Sequence, residues 1–142
     1  MKKLVLLFTF FCFGTLFAQT EKVVETPQIA IKIPLGETAS VEGYDLKFIE
    51  VLEDSRCPKG VNCVWAGRVR IKISYLNNKG SEMFQEIILG EVKGDEQHNS
   101  LININPNLQL KVLRVTPYPQ YNDDKKSLPY ALLLKKILIS EG

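Results

Sequence analysis

One turn-rich stretch decides the fold of this chain: residues 54–67, DSRCPKGVNCVWAG. Five residues separate Cys57 from Cys63, and they include Pro58 and Gly60. Pro58 disfavours helix at Cys57 because its ring is fixed in φ, and Gly60 accepts positive φ without steric cost. We therefore expect a tight turn that brings the two sulfurs within bonding distance. Closing so small a ring stabilises a fold by about 2 kcal/mol, because it restricts the unfolded chain.

The cysteine pair has a second interpretation as a redox-active dithiol. Catalytic dithiols usually enclose two residues at the start of a helix, where the thiolate is stabilised. Cys57 and Cys63 enclose five residues in a turn between strand-like segments. This spacing favours a structural disulfide.

The only tryptophan, Trp65, follows Cys63 by two residues. In an extended chain this spacing places both side chains on the same face. We interpret Trp65 as a core aromatic residue that packs on the disulfide, as in many β-sandwich domains. The alternative is an exposed Trp65 that anchors a ligand or a partner. The sequence leaves both interpretations open.

Alternation of apolar and polar residues predicts β-strands on both sides of this stretch. We expect strands over residues 29–33, 38–41, 44–51, 68–75, 83–89, 101–104, 108–115 and 130–140. The last segment also fits a helix, since Tyr130, Leu133 and Ile137 share a helical face, but we predict a strand. The fold class is therefore all-β, a single antiparallel sandwich or barrel of about seven or eight strands with one disulfide.

Three local patterns refine this prediction. The alternation changes phase at Phe48 and Ile49, which indicates a β-bulge. Residues 77–80, Asn-Asn-Lys-Gly, are typical of a hairpin turn. In residues 68–75 the apolar positions alternate with polar ones, so we expect a half-buried strand with a solvated charged face. That polar face comprises Arg68, Arg70, Lys72 and Ser74.

The first residues predict an exported protein. Residues 1–18 have a basic start, an apolar run of 14 residues and a small residue, Ala18, as secretory signal peptides do. The run is shorter than the roughly 20 residues that span a membrane. Cys12 follows Phe11, whereas a lipid-attachment site needs a small residue there. We predict removal of residues 1–18, a mobile lead over 19–27, one domain over 28–142, and a periplasmic or secreted location without stable membrane insertion.

Composition excludes a partner selected by charge alone. Lys2 and Lys3 are the only charged residues in the first 18, so the rest of the chain carries 16 basic and 16 acidic residues. This balance gives no basis for binding nucleic acid or an anionic membrane. Two of the three cysteines follow residue 18, an even number that permits one pairing in an oxidising compartment.

No catalytic set can be assembled from the sequence. His98 is the only histidine and lies in a polar stretch, so we interpret it as a solvated loop residue. Zinc and copper sites need clusters of histidine and cysteine that this chain lacks. Asp123 and Asp124 with Asn122 match no calcium-loop spacing, and we interpret them as a charged loop. We predict no catalytic residue, no metal site and no cofactor.

The residues around the cysteines also carry a resemblance. Arg56-Cys57-Pro58, Gly60-Val61 and Cys63-Val64-Trp65-Ala66-Gly67 resemble a signature found in small secreted bacterial proteins of uncharacterised function. In those proteins too, the signature lies between predicted strands. The matching segment covers about a tenth of the chain. The resemblance implies a small exported β-rich protein and brings no named activity.

Together these features favour an exported, non-enzymatic binding or structural module of the bacterial envelope or exterior, with a protein partner. Loops on a rigid sheet scaffold make the contacts in such domains. The candidate binding residues are Lys59, Trp65, Tyr118 and Tyr121. One alternative is a protease inhibitor that presents Lys59 in the Cys57–Cys63 loop. Another is a small secreted hydrolase that uses carboxylates such as Asp54 or Asp123.

Overall fold

The computed structural model describes residues 30–77 and 79–137, which form eight β-strands and no helix. The strands are β1 (Ala30–Pro34), β2 (Thr38–Val41), β3 (Tyr44–Asp54), β4 (Arg68–Leu76), β5 (Glu82–Gly90), β6 (Leu101–Asn105), β7 (Leu108–Thr116) and β8 (Ala131–Ile137). The all-β prediction is confirmed, and so is the strand after residue 130. The predicted signal peptide, the lead, residues 28–29 and residues 138–142 lie outside the described residues.

The strands form two antiparallel sheets of four strands each. The first sheet has the order β1-β8-β7-β6, and the second has the order β2-β3-β4-β5. Each sheet keeps two edge strands, so the fold is a sandwich rather than a closed barrel. The turn after β1 joins the sheets, because the Leu35 amide donates to the Tyr130 carbonyl at 2.9 Å and the Gly36 amide donates to the Phe48 carbonyl at 2.7 Å.

The core lies between the sheets and uses alternate residues of their strands. Alternation places one face of each strand inside, and burying these side chains supplies the main stabilisation. Fully buried members include Ile33, Leu110, Leu132 and Leu134 of the first sheet and Leu46, Phe48, Ile71, Ile73 and Ile87 of the second. The apolar positions predicted for β4 are thus inside, with Tyr75 half-buried at the margin.

The prediction of a solvated charged face on β4 is wrong for two of its four residues. Arg70 and Lys72 are half-exposed, but Arg68 and Ser74 are buried. Arg68 is covered because two carboxylates pair with it, one from β3 and one from the segment between β5 and β6. Ser74 lies between Lys47 and Phe84 in the sheet.

The predicted β-bulge in β3 is confirmed, and a second irregularity follows it. The register with β4 shifts between Phe48 and Glu50 and again between Val51 and Glu53. After the second shift, the Glu53 carboxylate pairs with Arg68, whereas the Asp54 carboxylate contacts residues next to the first sheet. Because consecutive strand residues point to opposite faces, these two acidic side chains reach different partners.

The hairpin between β4 and β5 also forms where the sequence predicts it. The Asn77 side-chain oxygen accepts hydrogen bonds from the amides of Lys79 at 2.9 Å and Ser81 at 3.0 Å. Gly80 adopts φ +74°, which suits glycine in such a turn. Asn78 lies outside the described residues.

Among the described glycines, Gly67 leaves the least room for a side chain. It has φ +74°, and a Cβ built there would lie 2.0 Å from the Ser55 carbonyl oxygen. Gly90 is packed similarly, since its Cβ would lie 2.5 Å from the Gly67 carbonyl oxygen. Only glycine fits at these two positions, where the ends of β3, β4 and β5 meet.

We expect Gly67→Ala to destabilise the protein far more than Gly80→Ala. Both glycines have φ +74°, but a Cβ at Gly80 meets nothing within 4 Å. Gly80→Ala should lower the free energy of unfolding by roughly 1–2 kcal/mol, the strain of a left-handed conformation. Gly67→Ala adds a backbone overlap and should lower it by roughly 3 kcal/mol or more. Urea denaturation measures both, and equal losses would contradict the close approach at Ser55.

Candidate functional site

The stretch between β3 and β4 continues their hairpin beyond the sheet. The Ser55 amide donates to the Arg68 carbonyl at 2.8 Å, and the Cys57 amide donates to the Ala66 carbonyl at 3.0 Å. The predicted disulfide closes the tip, with the Sγ atoms of Cys57 and Cys63 2.14 Å apart. We call residues 57–67 the disulfide loop. Its base is held by the backbone ladder and its tip by the covalent bond.

A buried ion pair anchors the base of the disulfide loop. Arg56, 8% exposed, donates from Nε to Asp54 Oδ1 at 2.8 Å and from Nη2 to Asp54 Oδ2 at 2.7 Å. Its remaining bonds reach the first sheet, with Nη1 donating to the Val115 carbonyl at 2.7 Å and Nη2 to the Pro117 carbonyl at 3.1 Å. One guanidinium thus joins β3 of the second sheet to the end of β7 in the first.

Asp54 receives further donors from the segment that precedes β8. The Tyr130 hydroxyl donates to Asp54 Oδ2 at 2.8 Å, and Lys125 Nζ donates to the Asp54 carbonyl at 2.9 Å. Burial opposes ionisation of Asp54, but hydrogen bonds from Arg56 and Tyr130 hold its pKa below the ordinary range. Burial, then the Asp54 carboxylate, raises the pKa of Tyr130. The carboxylate is ionised and fully engaged, as in a structural ion pair rather than a general acid.

Two of the predicted binding residues meet on one side of the disulfide loop. The Lys59 amide donates to the Pro119 carbonyl at 2.9 Å, and Lys59 Nζ lies 6.0 Å from the centre of the Tyr118 ring. The Arg56 guanidinium lies 4.9 Å from the same ring. Tyr121, three residues further on, is exposed. The structure therefore joins the disulfide loop to the segment that carries Tyr118 and Tyr121, far along the chain.

Trp65 is not part of the core. It is 73% exposed, and its neighbour Val64 is 90% exposed, so the interpretation of Trp65 as a core aromatic residue is wrong. The reason is the position of the loop, which projects beyond the two sheets. Cys63 is itself exposed, so the disulfide offers Trp65 no interior to pack against.

Trp65 lines a cleft on the side of the loop that faces the end of β5. The cleft has a volume of about 650 Å³. The loop residues Cys63, Val64, Trp65 and Gly67 form one wall, which is apolar, and the far wall comprises Glu91, Val92 and Lys93. Ser55 and Arg68 also line the cleft. Glu91 fixes the two walls together, since Glu91 Oε1 accepts from the Ala66 amide at 3.0 Å and the Glu91 amide donates to the Gly67 carbonyl at 3.3 Å.

The positive charge of Arg68 at this cleft is neutralised by carboxylates. Arg68, 5% exposed, donates from Nε to Glu53 at 3.0 Å and forms an ion pair with Glu96. Hydrogen bonding from Arg68 lowers the pKa of Glu53. Hydrogen bonding from the Lys93 amide lowers the pKa of Glu96, and Arg68 lowers it further. The cleft thus presents an exposed apolar wall beside the paired charge of Arg68.

The sequence did not reveal the far wall of this cleft. Residues 91–93 belong to a polar stretch with no pattern that indicates a binding site. Arg68 was assigned to solvent because alternation alone does not show which charges are covered. The positive φ of Gly90 brings the far wall close, but nothing in the sequence marks that glycine as special.

The carboxylates considered for chemistry accept structural hydrogen bonds. His98 is exposed in a loop. Asp123 Oδ2 accepts from the Gln120 amide at 2.7 Å, and Asp124 Oδ1 accepts from the Lys126 amide at 3.1 Å, so both carboxylates support local turns. Residues 30–77 and 79–137 contain no group of three or more His, Cys, Asp or Glu side chains that could hold a metal ion. Within the same ranges, no helix is long and apolar enough to cross a membrane.

Comparisons of the chain with models of protein families, with curated proteins and with solved structures find no match. The resemblance carried by residues 56–67 therefore stays a prediction. The function has to be inferred from the geometry of the disulfide loop and its surroundings.

We expect Asp54→Asn to lower the free energy of unfolding by about 3–5 kcal/mol, because it leaves the Arg56 guanidinium buried without its carboxylate. Arg56→Met should be similarly harmful, since Asp54 loses its counter-charge. The free energy of unfolding lost in the double variant should be clearly smaller than the sum of the losses in the two single variants. Tyr130→Phe is the control and should lose about 1 kcal/mol, the value of one hydrogen bond. Additive losses in urea denaturation would contradict a coupled pair.

The same pair predicts a pH dependence. The pKa of Asp54 is lower in the folded than in the unfolded protein, so its ionisation stabilises the fold above the ordinary carboxyl pKa. This stabilisation is lost as the pH falls through the folded value. The difference in unfolding free energy between wild type and Asp54→Asn should therefore be full at about pH 7 and shrink below about pH 4. A difference independent of pH would contradict the assignment.

Proposed function

We propose that this protein is an exported, non-enzymatic binding module that recognises a protein partner through the disulfide loop. The observation that carries this proposal is the exposure of Trp65 and Val64 on a loop closed by a disulfide. Large apolar side chains displayed together beside a cleft are typical of interaction sites.

The contacts that hold the loop in place support a role in recognition. Ordering a flexible loop on binding consumes part of the interaction free energy. Here the ladder through Cys57 and Ala66 and the bonds of Glu91 hold the loop before any partner arrives. The backbone that carries Trp65 then loses little entropy when a partner covers the loop.

The two sides of the loop define the extent of the proposed surface. Trp65 and Val64 face the cleft with residues 91–93, and Lys59 faces Tyr118. Tyr121 adds a further exposed aromatic residue near Lys59. A partner seated across the tip of the loop would contact both sides and would use all four predicted binding residues.

Export is the second part of the proposal. Residues 1–18 have the composition of a secretory signal peptide. An oxidising compartment such as the periplasm or the exterior is where a structural disulfide persists. The resemblance of residues 56–67 to small secreted bacterial proteins agrees with this location. We propose that the mature protein begins near Gln19 and acts in the envelope or outside the cell.

Protease inhibition through Lys59 is less well supported by the geometry. An inhibitory loop needs a side chain free to enter the pocket of the protease and a backbone free to pair with it. The Lys59 amide donates to the Pro119 carbonyl, and its ammonium lies over Tyr118. A trypsin-like protease would have to displace both contacts. Inhibition of trypsin by a stoichiometric amount of the mature protein would favour this alternative over a non-inhibitory binding module.

The test is affinity capture from envelope and culture fractions of the producing cells. The baits are the disulfide-intact mature protein, a variant carrying Val64→Ser and Trp65→Ser, and a control carrying Leu113→Ser. Leu113 is an exposed apolar residue on β7 of the first sheet and does not line the cleft. We expect wild type and the control to retain one partner that the loop variant loses by about tenfold or more, equivalent to 1.4 kcal/mol.

Two outcomes would contradict the proposal. The first is capture of the same partner by the loop variant, which would place recognition elsewhere. The second is failure of every bait to enrich a partner. Where a partner is found, a change in the fluorescence of Trp65, the only tryptophan of the chain, reports directly on contact with the loop.

A further inference from the structure

The first half of β5 is an open sheet edge at the far end from the disulfide loop. β5 is the last strand of the second sheet, and its pairing with β4 runs from Gly90 near the loop to Glu82 at the hairpin. A bridge between Ile88 and Asn99 covers its second half. Gln85 Nε2 donates to the Leu101 carbonyl at 2.9 Å. Among the described residues, no strand lies beside the edge of residues 82–84.

Apolar side chains are exposed on both faces of this edge. Met83 is 43% exposed and Phe84 is 58% exposed, although consecutive residues of a strand point to opposite faces. Leu76, opposite Glu82 on β4, is exposed as well. This end of the hairpin therefore projects beyond the core. An uncovered edge with a large apolar residue is a template for another strand.

Along β5, the charged residues on both sides of Phe84 are acidic. Glu82, Phe84 and Glu86 alternate, so they share a face of the sheet. Glu86 accepts a hydrogen bond from Arg70 Nη2 at 2.8 Å, whereas Glu82 forms no ion pair with any described residue. Lys72 Nζ lies 5.5 Å from the Phe84 ring and packs on it from β4. The outer edge presents Phe84 between two carboxylates.

This pattern argues against a second copy of the chain as the added strand. Antiparallel pairing of two β5 strands centred on Phe84 would stack the two exposed rings. The same register places Glu82 opposite Glu86 of the other copy, twice. Like charges directly opposite each other destabilise a strand pair. The complementary strand has cationic residues at those positions and an apolar residue between them.

We propose that residues 82–84 of β5 dock an extended protein segment that adds a fifth strand to the second sheet. The segment carries an apolar residue opposite Phe84, with lysine or arginine two positions before and after it. Backbone hydrogen bonds along the edge supply affinity, and the carboxylates of Glu82 and Glu86 select the charge. This surface is separate from the disulfide loop, so either assignment can fail without the other.

The test uses isotope-labelled mature protein and two blocked peptides in an NMR titration to millimolar concentration. One peptide is Thr-Thr-Lys-Thr-Val-Thr-Lys-Thr-Thr, and the other has glutamate in place of both lysines. We expect amide shifts confined to residues 82–86 and their β4 neighbours, with the lysine peptide binding at least about tenfold more tightly. Glu82→Lys should weaken the lysine peptide, and Phe84→Thr should weaken both. Glu37→Lys, the same charge change in the turn after β1, should leave binding unaltered.

Four results would overturn the proposal. One is the absence of shifts at β5 with either peptide, and another is a set of shifts centred on the disulfide loop. A third is equal affinity for the two peptides, which would remove the selection by charge. The fourth is a concentration-dependent dimer in analytical ultracentrifugation that Phe84→Thr abolishes, since that would assign the edge to a second copy.

Discussion

The buried ion pair between Arg56 and Asp54 is the interaction on which the end of the sandwich that carries the disulfide loop depends. It lies where β3 leaves the second sheet, and its guanidinium also bonds to the carbonyls of Val115 and Pro117 next to the first sheet. Removing two charges from water is costly, and a buried pair is stable only when its remaining donors and acceptors are satisfied. Here Nε, Nη1 and Nη2 of Arg56 all donate hydrogen bonds. The Tyr130 hydroxyl donates a further one to the Asp54 carboxylate. The ion pair therefore fixes the position of residues 54–56 against the end of β7 rather than adding large net stability.

That geometry determines what the disulfide loop can display. The pair holds residues 54–56 against the segment that follows β7, and Lys59 then bonds to Pro119 in the same segment. Gly67 and Gly90 let the other side of the loop approach β5, where Glu91 fixes it. With both sides held, the disulfide needs only to close the tip. The apolar residues at the tip lie beyond the core between the sheets, so they stay exposed.

Local features of the fold could be predicted from the sequence, because they depend on residues that are neighbours in the chain. Alternation predicted the strands, the phase change at Phe48 predicted a bulge, and the turn chemistry of residues 57–63 predicted the disulfide. Lys59 and Tyr118 were both proposed for binding, but their contact depends on a bridge between distant segments.

The features that were missed depend on partners far away in the chain. Arg56 bonds to a residue 59 positions away, and Arg68 pairs with a residue 28 positions away, so local patterns could not show that either is buried. Trp65 was assigned to the core because tryptophan beside a disulfide is often buried. Its exposure follows from the projection of the hairpin beyond the sheets, which alternation does not encode. The apolar wall of the cleft is thus a property of the assembled fold.

The most direct test of this account is the backbone order of the loop in Arg56→Met. NMR order parameters of a rigid backbone are about 0.85, and those of a flexible segment lie below about 0.6. In wild type, Lys59 and Gln120 should match the rigid value of Ile71 in the core. In Arg56→Met they should fall toward the flexible value while Ile71 is unchanged. If Lys59 and Gln120 stayed as ordered as Ile71 in the variant, the ion pair would not be what holds this side of the loop.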